Sequence, residues 1–308
     1  MPLRHSLLAT LVTVVWGLNF LAIDHGVAEV PPALFVAIRF VVVLLPAIFL
    51  VPRPAARWRD VVAVGAFMSL GQFGLLYTAL ALGMPPGLAS LVLQAQVAFT
   101  VLLALAVLRE VPTAAQVAGV VLGAAGLVVV ALGRGAATPA GAFLLTVLAS
   151  ASWATGNVVA RRAAGRRRAA APAGSPALAG LSMTVWSALV VPVPMLALSL
   201  VLDGPDAVGH ALAHLGWTAV GSTLYTAWLA SLFGYGVWNM LLSRYPASSV
   251  VPFTMLVPVV GLAAAWVVER EVPTVGEAAG GVLLLLGVAV TTVRPRRRHD
   301  RHAPPVPA

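Results

Sequence analysis

A few polar side chains sit inside otherwise apolar stretches of this sequence: Asn19, Arg39, Gln94, Gln96 and Asn157. An amide offers a donor and an acceptor together, which suits a zwitterion. A guanidinium can grip a carboxylate through two parallel hydrogen bonds. Trp16, Trp153, Tyr225, Tyr235 and Trp238 offer aromatic faces on which an ammonium group can rest. These residue types suit binding of a small charged solute. Signs of bond-making chemistry are missing. There is no glycine-rich phosphate loop, no Gly-x-Ser-x-Gly elbow and no His-Glu-x-x-His. His210 with His214, and His299 with His302, lack a third ligand nearby. No catalytic residue, metal or cofactor is expected.

Each candidate also has a structural reading. Asn19 and Asn157 occupy inverted positions in their spans, and either could instead tie two helices together. Gln94 and Gln96 lie about 200° apart on a helix. One is therefore expected to line a path while the other bonds a neighbouring helix. Arg39 must face protein or water. A structural or gating role is expected for it, by snorkelling or by pairing with Asp24 or Glu29. Trp238, near a helix end, reads as an interfacial belt residue. Glu110 and Glu271 are each followed by a proline two residues later, so they are expected to cap the helices that start there. Pro46, Pro192, Pro194, Pro252 and Pro258 fall inside spans, and Pro258 is the best hinge candidate. Gly119 and Gly123 suit close helix packing, within the chain or across a dimer.

The elements that position these groups follow from composition. Hydrophobic residues make up 60% of the chain and charged ones 9%, and the mean hydropathy is +0.96. A water-soluble domain cannot hide that much apolar surface. Runs of about 20 apolar residues match the bilayer thickness as helices, which satisfy their own backbone groups in lipid. Ten spans are expected: 6–25, 32–51, 60–82, 88–108, 114–132, 140–160, 178–201, 216–238, 247–268 and 275–293. Turn-forming or charged breaks separate them, such as Met84-Pro85-Pro86-Gly87 and Asp203-Gly204-Pro205-Asp206. There is no cysteine, hence no disulfide or thiol chemistry.

The pentapeptide Arg-Glu-Val-Pro-Thr occurs at Arg109–Thr113 and again 161 residues later at Arg270–Thr274. The same offset relates Pro85 to Pro246, Gly119 to Gly280 and Gly126 to Gly287. Two repeats are read: 1–132 with spans 1–5, and 140–293 with spans 6–10. An arginine-rich linker at 161–177 and a basic tail at 294–308 complete the chain. With the N-terminus inside, 16 of the 19 arginines fall on the inner side. This bias places both termini in the cytoplasm. The basic charge is thus explained by the bilayer, with no nucleic acid as partner. Five spans per repeat is odd, so the second repeat must be inverted. Inverted repeats mark secondary transporters with a midplane site. The fold class is an all-α membrane protein of two inverted five-helix repeats, monomer or homodimer.

Several stretches resemble the EamA family of the drug/metabolite transporter superfamily. They include Val15-Trp16-Gly17-Leu18-Asn19-Phe20, Arg39-Phe40, Gly83 through Gln96, Gly234-Tyr235-Gly236-Val237-Trp238 and Leu256 through Leu262. The likeness runs from span 1 through span 10. It implies a ten-helix exporter in a bacterial inner membrane, carrying small amino-acid metabolites of the O-acetylserine and cysteine kind and driven by proton exchange. One position departs: where such exporters commonly carry lysine near the outer end of span 1, this chain has Asp24-His25. Export of other amino acids or drugs, and a membrane-bound lipid-modifying enzyme, remain the alternatives.

Overall fold

The computed structural model describes residues 1–135, 138–168 and 176–292, and side chains there except those of 164–180 and 247–248. The tail 294–308, with His299 and His302, and the linker core 169–175 lie outside the described residues. The described residues form helices and turns without strands. Ten long helical segments stand at the positions of the expected spans. Span 1 is Leu3–Val27, span 2 Pro32–Leu50, span 3 Trp58–Ala81, span 4 Pro86–Leu108 and span 5 Ala114–Gly133. Span 6 is Ala140–Arg168, span 7 covers 176–202, span 8 217–244, span 9 247–269, and span 10 Val275–Thr292. Two local expectations change. Span 6 runs on as helix to Arg168, into the supposed linker. The loop after span 7 holds a short helix, Pro205–Ala213.

Among the described residues, nine helices are long and apolar enough to cross a bilayer. Span 8 falls short in hydropathy, not in length. It carries Thr223, Tyr225, Thr226, Trp228, Ser231, Tyr235 and Asn239. A helix this polar is tolerated in lipid only where protein surrounds it. Span 8 accordingly lies against spans 1, 2 and 7.

The two pentapeptides fold alike. Arg109 and Arg270 are the only described non-glycine residues with positive φ, at 56° and 58°. Each ends its helix left-handed, a conformation that disfavours a Cβ. The amide of Glu110 donates to Ala104 O and that of Glu271 to Ala265 O, both at 3.3 Å. The following helices start at Ala114 and Val275, as expected. Thr113 accepts from Gln116 N at 3.2 Å, and Thr274 accepts from Glu277 N at 3.1 Å. The side chains of Gln116 and Glu277 return the bond at 2.8 and 2.7 Å. These are capping boxes. The expected capping of these starts by Glu110 and Glu271 is therefore corrected. The left-handed turn puts both prolines in extended chain and hands the cap to threonine.

Helical irregularities are duplicated as well. Wide π-type turns occupy Gly65–Gly71 in span 3 and Tyr225–Phe233 in span 8. Tight 3₁₀ turns occupy Leu93–Ala95 in span 4 and Val251–Met255 in span 9. Both pairs keep the offset of the pentapeptides to within a few residues. Such turns loosen the backbone ladder, and π-type ones cluster at functional sites. Spans 5 and 10 meet through facing glycines, where a Cβ on Gly126 would lie 2.4 Å from Leu284 N and 2.7 Å from Gly280 O. Gly119 faces Gly287 in the same way. The glycines of span 5 thus serve packing within the chain.

Contacts fix the inversion. Glu110 lies at the end of the molecule where Arg161 bonds it, and Glu271 at the end where it reaches Gly87. Span 4, roughly 35 Å long at 1.5 Å per residue, separates Gly87 from Glu110. The repeats are not in equivalent arrangements. On the Arg270 side, span 4 packs along span 9 and both pack on span 1. On the Arg109 side, span 4 packs chiefly on span 6 among the described residues. Spans 4 and 9 thus come together on the Arg270 side.

Candidate functional site

Arg39 is the largest fully buried side chain described, with 2% of its surface exposed. Its terminal nitrogens donate to Tyr77 OH at 2.8 Å and to Ser231 Oγ at 3.0 Å. Ser231 in turn donates to Thr226 O at 2.8 Å. The guanidinium lies over the Phe73 ring, 4.1 Å from its centre. Its Nε has no partner. The ion pairs found among the described residues are His25 with Glu269 and Arg161 with Glu110, so no carboxylate neutralises Arg39. The expected pairing with Asp24 or Glu29 does not occur. Glu29 accepts from Ala219 N at 3.1 Å, and Asp24 lies in the field of Glu269 and His25.

Three more buried polar atoms lack partners: Asn19 Oδ1, Gln72 Oε1 and Trp153 Nε1. Counted along their helices, all four orphaned groups lie within about 6 Å of mid-span. Helix contacts draw them together. Gln72 neighbours Phe73, on which Arg39 stacks. Gly71 lies on Ser152, which places Gln72 and Trp153 at adjoining levels of spans 3 and 6. Trp16 donates to Ala230 O at 2.8 Å, beside Ser231, and its ring lies 5.4 Å from that of Tyr235. Asn19 is one turn beyond Trp16. Buried polar groups are nearly always paired, so four orphans at one depth need a reason.

The remaining candidates act as links between helices. Gln94 Nε2 donates to Thr254 O at 3.3 Å, joining the two tight turns of spans 4 and 9. Asn157 Nδ2 donates to Gln96 Oε1 at 3.2 Å, joining spans 6 and 4. Both glutamines therefore bond neighbouring helices, where one had been expected to face a path. Asn19 and Asn157 do not meet each other. Tyr225 OH donates to Val15 O at 2.9 Å. Trp238 is buried against Trp16, 5.2 Å between ring centres, and is not a belt residue. Pro258 is buried in the first turn after the tight segment of span 9, where the helix restarts. A small apolar cavity of about 90 Å³ between spans 4, 5 and 10, lined by residues such as Phe99, Leu127 and Leu284, does not reach Arg39.

The EamA-like transporter family model matches residues 3–132 and again 140–293. The chain belongs to the EamA-like transporter family. Proteins of Salmonella typhimurium and Escherichia coli named "Probable amino-acid metabolite efflux pump" are 41% and 38% identical to it over 292 residues. Each match covers 94% of this chain and 95% of the relative. A "Probable terminal-alkyne amino-acid exporter" of Streptantibioticus cattleyicolor is 27% identical, covering 99% of both chains. A solved crystal structure, 22% identical, superposes with a TM-score of 0.60 over 97% of this chain and 99% of its own. It shares the fold. The family and the relatives' names point to a membrane transporter of amino-acid metabolites, not an enzyme.

At the junctions of this EamA-like chain the two glutamates diverge. Glu110 forms a two-pronged pair with Arg161 at 2.9 and 2.7 Å. Glu271 accepts Gly87 N at 3.2 Å, capping the start of span 4 in the other repeat. Burial pushes the Glu271 carboxyl above the usual range, opposed by the amides of Gly87 and Leu88 and reinforced by Glu277 and Asp24. Gln72, Tyr77 and Ser231 had not been singled out in the sequence. Gln72 carried a usable signal, as a lone amide in the apolar part of span 3.

Proposed function

We propose that this chain exports small amino-acid metabolites of the O-acetylserine and cysteine kind by alternating access, in exchange for protons. In this reading it sits in a bacterial inner membrane with both termini in the cytoplasm. Units 1–132 and 140–293 rock against each other. One observation carries the reading: unpaired buried polar groups lie near mid-span in helices of two inverted repeats, and spans 4 and 9 pack together on the Arg270 side. In this reading the arginine bias puts the Arg109 side in the cytoplasm, and the packed Arg270 side faces outward. The duplicated loose turns in spans 3 and 8 and tight turns in spans 4 and 9 give each repeat the same hinges. The Streptantibioticus relative favours a second reading, in which other amino acids are the cargo.

The test is efflux of labelled O-acetylserine and cysteine from loaded proteoliposomes, with and without an imposed pH gradient. Efflux above protein-free vesicles, accelerated by the gradient, is expected. Leakage equal to that of empty vesicles rejects export. Efflux of other amino acids alone selects the second reading.

A further inference from the structure

We infer that Arg39 is the carboxylate subsite of this transporter, so that a free carboxylate is what qualifies a solute as cargo; the inference builds on the transport reading above. A guanidinium stays charged at any biological pH. Burying it without an anion is costly in lipid, and natural proteins pair such groups. Here the partners are two neutral hydroxyls, Tyr77 from the first repeat and Ser231 from the second. They orient the group without neutralising it. Phe73 fixes its plane from one face. Nε is left unpaired, and with an adjacent terminal N–H it forms the edge that a carboxylate grips with two bonds. The anion is thus missing from the protein and has to be supplied by what binds.

The complementary half of an α-amino acid finds acceptors at the same depth. Asn19 Oδ1 and Gln72 Oε1 have no donors, and an ammonium group supplies three. Trp16 and Tyr235 add aromatic faces beside Asn19. Because Tyr77 and Ser231 belong to different repeats, Arg39 bridges the interface that must shift in alternating access. A carboxylate that draws Nε and a terminal nitrogen toward itself competes with Ser231, and so loosens one repeat from the other. Binding is thereby linked to movement.

The experiment uses the purified full-length protein. Melting temperature is measured with O-acetyl-L-serine, L-cysteine and the methyl ester of each, and the same four compounds compete in the efflux assay. The acids should stabilise the wild type, with the esters at least about tenfold weaker in both readouts, the loss expected for one charge-assisted contact. Arg39→Gln removes an unneutralised buried charge. It should therefore melt no lower than the wild type without ligand, while losing the difference between acid and ester. Tyr77→Phe keeps the charge and should keep that difference. If acids and esters are equivalent on the wild type, or Arg39→Gln melts well below it and still discriminates, Arg39 is a structural residue and the inference falls. The two readings fail separately. Acid-dependent stabilisation without efflux would leave the subsite and remove transport, whereas efflux without discrimination would do the reverse.

Discussion

Removing the Glu271 carboxylate should open the side of the molecule that is closed here. Glu271 Oε2 accepts Gly87 N at 3.2 Å, and Leu88 N also donates to it. These are free amides at the start of span 4, where a carboxylate also meets the positive end of the helix. Losing such a cap costs about 1–2 kcal/mol. The equivalent glutamate on the other side, Glu110, makes no such contact and pairs with Arg161, so the whole loss falls on one state. A shift of that size changes the ratio of closed to open forms by roughly 5- to 30-fold. The chain has no cysteine, so a single reporter thiol has no background. Ser90, almost fully buried one turn below Gly87 and against Gly261, is the position for it. In the Ser90→Cys background, Glu271→Ala should raise the labelling rate by that factor. Glu271→Gln keeps an acceptor and no charge, and should stay closed. The pH sign follows. Burial raises the Glu271 carboxyl in the closed form, so that form binds a proton more tightly than the open one. Its contribution to closure is fully present below the ordinary carboxylate range and is lost as pH rises through the raised value. Labelling should therefore quicken with rising pH in the wild type. Asp24, His25, Glu269 and Glu277 lie nearby, and Glu271→Gln leaves them in place. Its pH slope should be flatter than that of the wild type. An unchanged slope, or Glu271→Ala labelling no faster than the wild type, would refute the reasoning.

Other outcomes follow from the same geometry. Gly126→Ala drives a Cβ into the backbone of span 10 and should destabilise by about 1–3 kcal/mol, while Gly123→Ala, whose added Cβ meets nothing within 4 Å, should melt like the wild type. Equal melting temperatures for the two would remove the glycine contact as an organising feature. Asn19→Ala should leave the melting temperature unchanged, because Asn19 Oδ1 bonds nothing, yet slow transport roughly two- to tenfold. Normal efflux by that variant would return Asn19 to helix packing. Thr274→Ala breaks the cap of span 10 and should cost about 1 kcal/mol in a thermal melt.

The ten helical segments and the inversion of one set against the other were legible in the chain itself. Apolar length, turn residues and an odd count per repeat are local or additive properties, and the duplicated Arg-Glu-Val-Pro-Thr made the symmetry visible. The helix starts were legible too, but their caps are Thr113 with Gln116 and Thr274 with Glu277, where the residue pattern pointed to Glu110 and Glu271. What a duplicated sequence cannot express is a broken symmetry. Glu110 and Glu271 sit in the same pentapeptide and the same backbone turn, but one meets Arg161 and the other Gly87. Those partners lie in distant spans, and which repeat is parted is a property of the packed whole. The same holds for Arg39. Its charge was plain from residue type, but only the folded helices reveal that Tyr77 and Ser231 hold it and that no carboxylate comes near. Residue types set which groups lipid forces inward; the tertiary arrangement decided which of them were left unpaired.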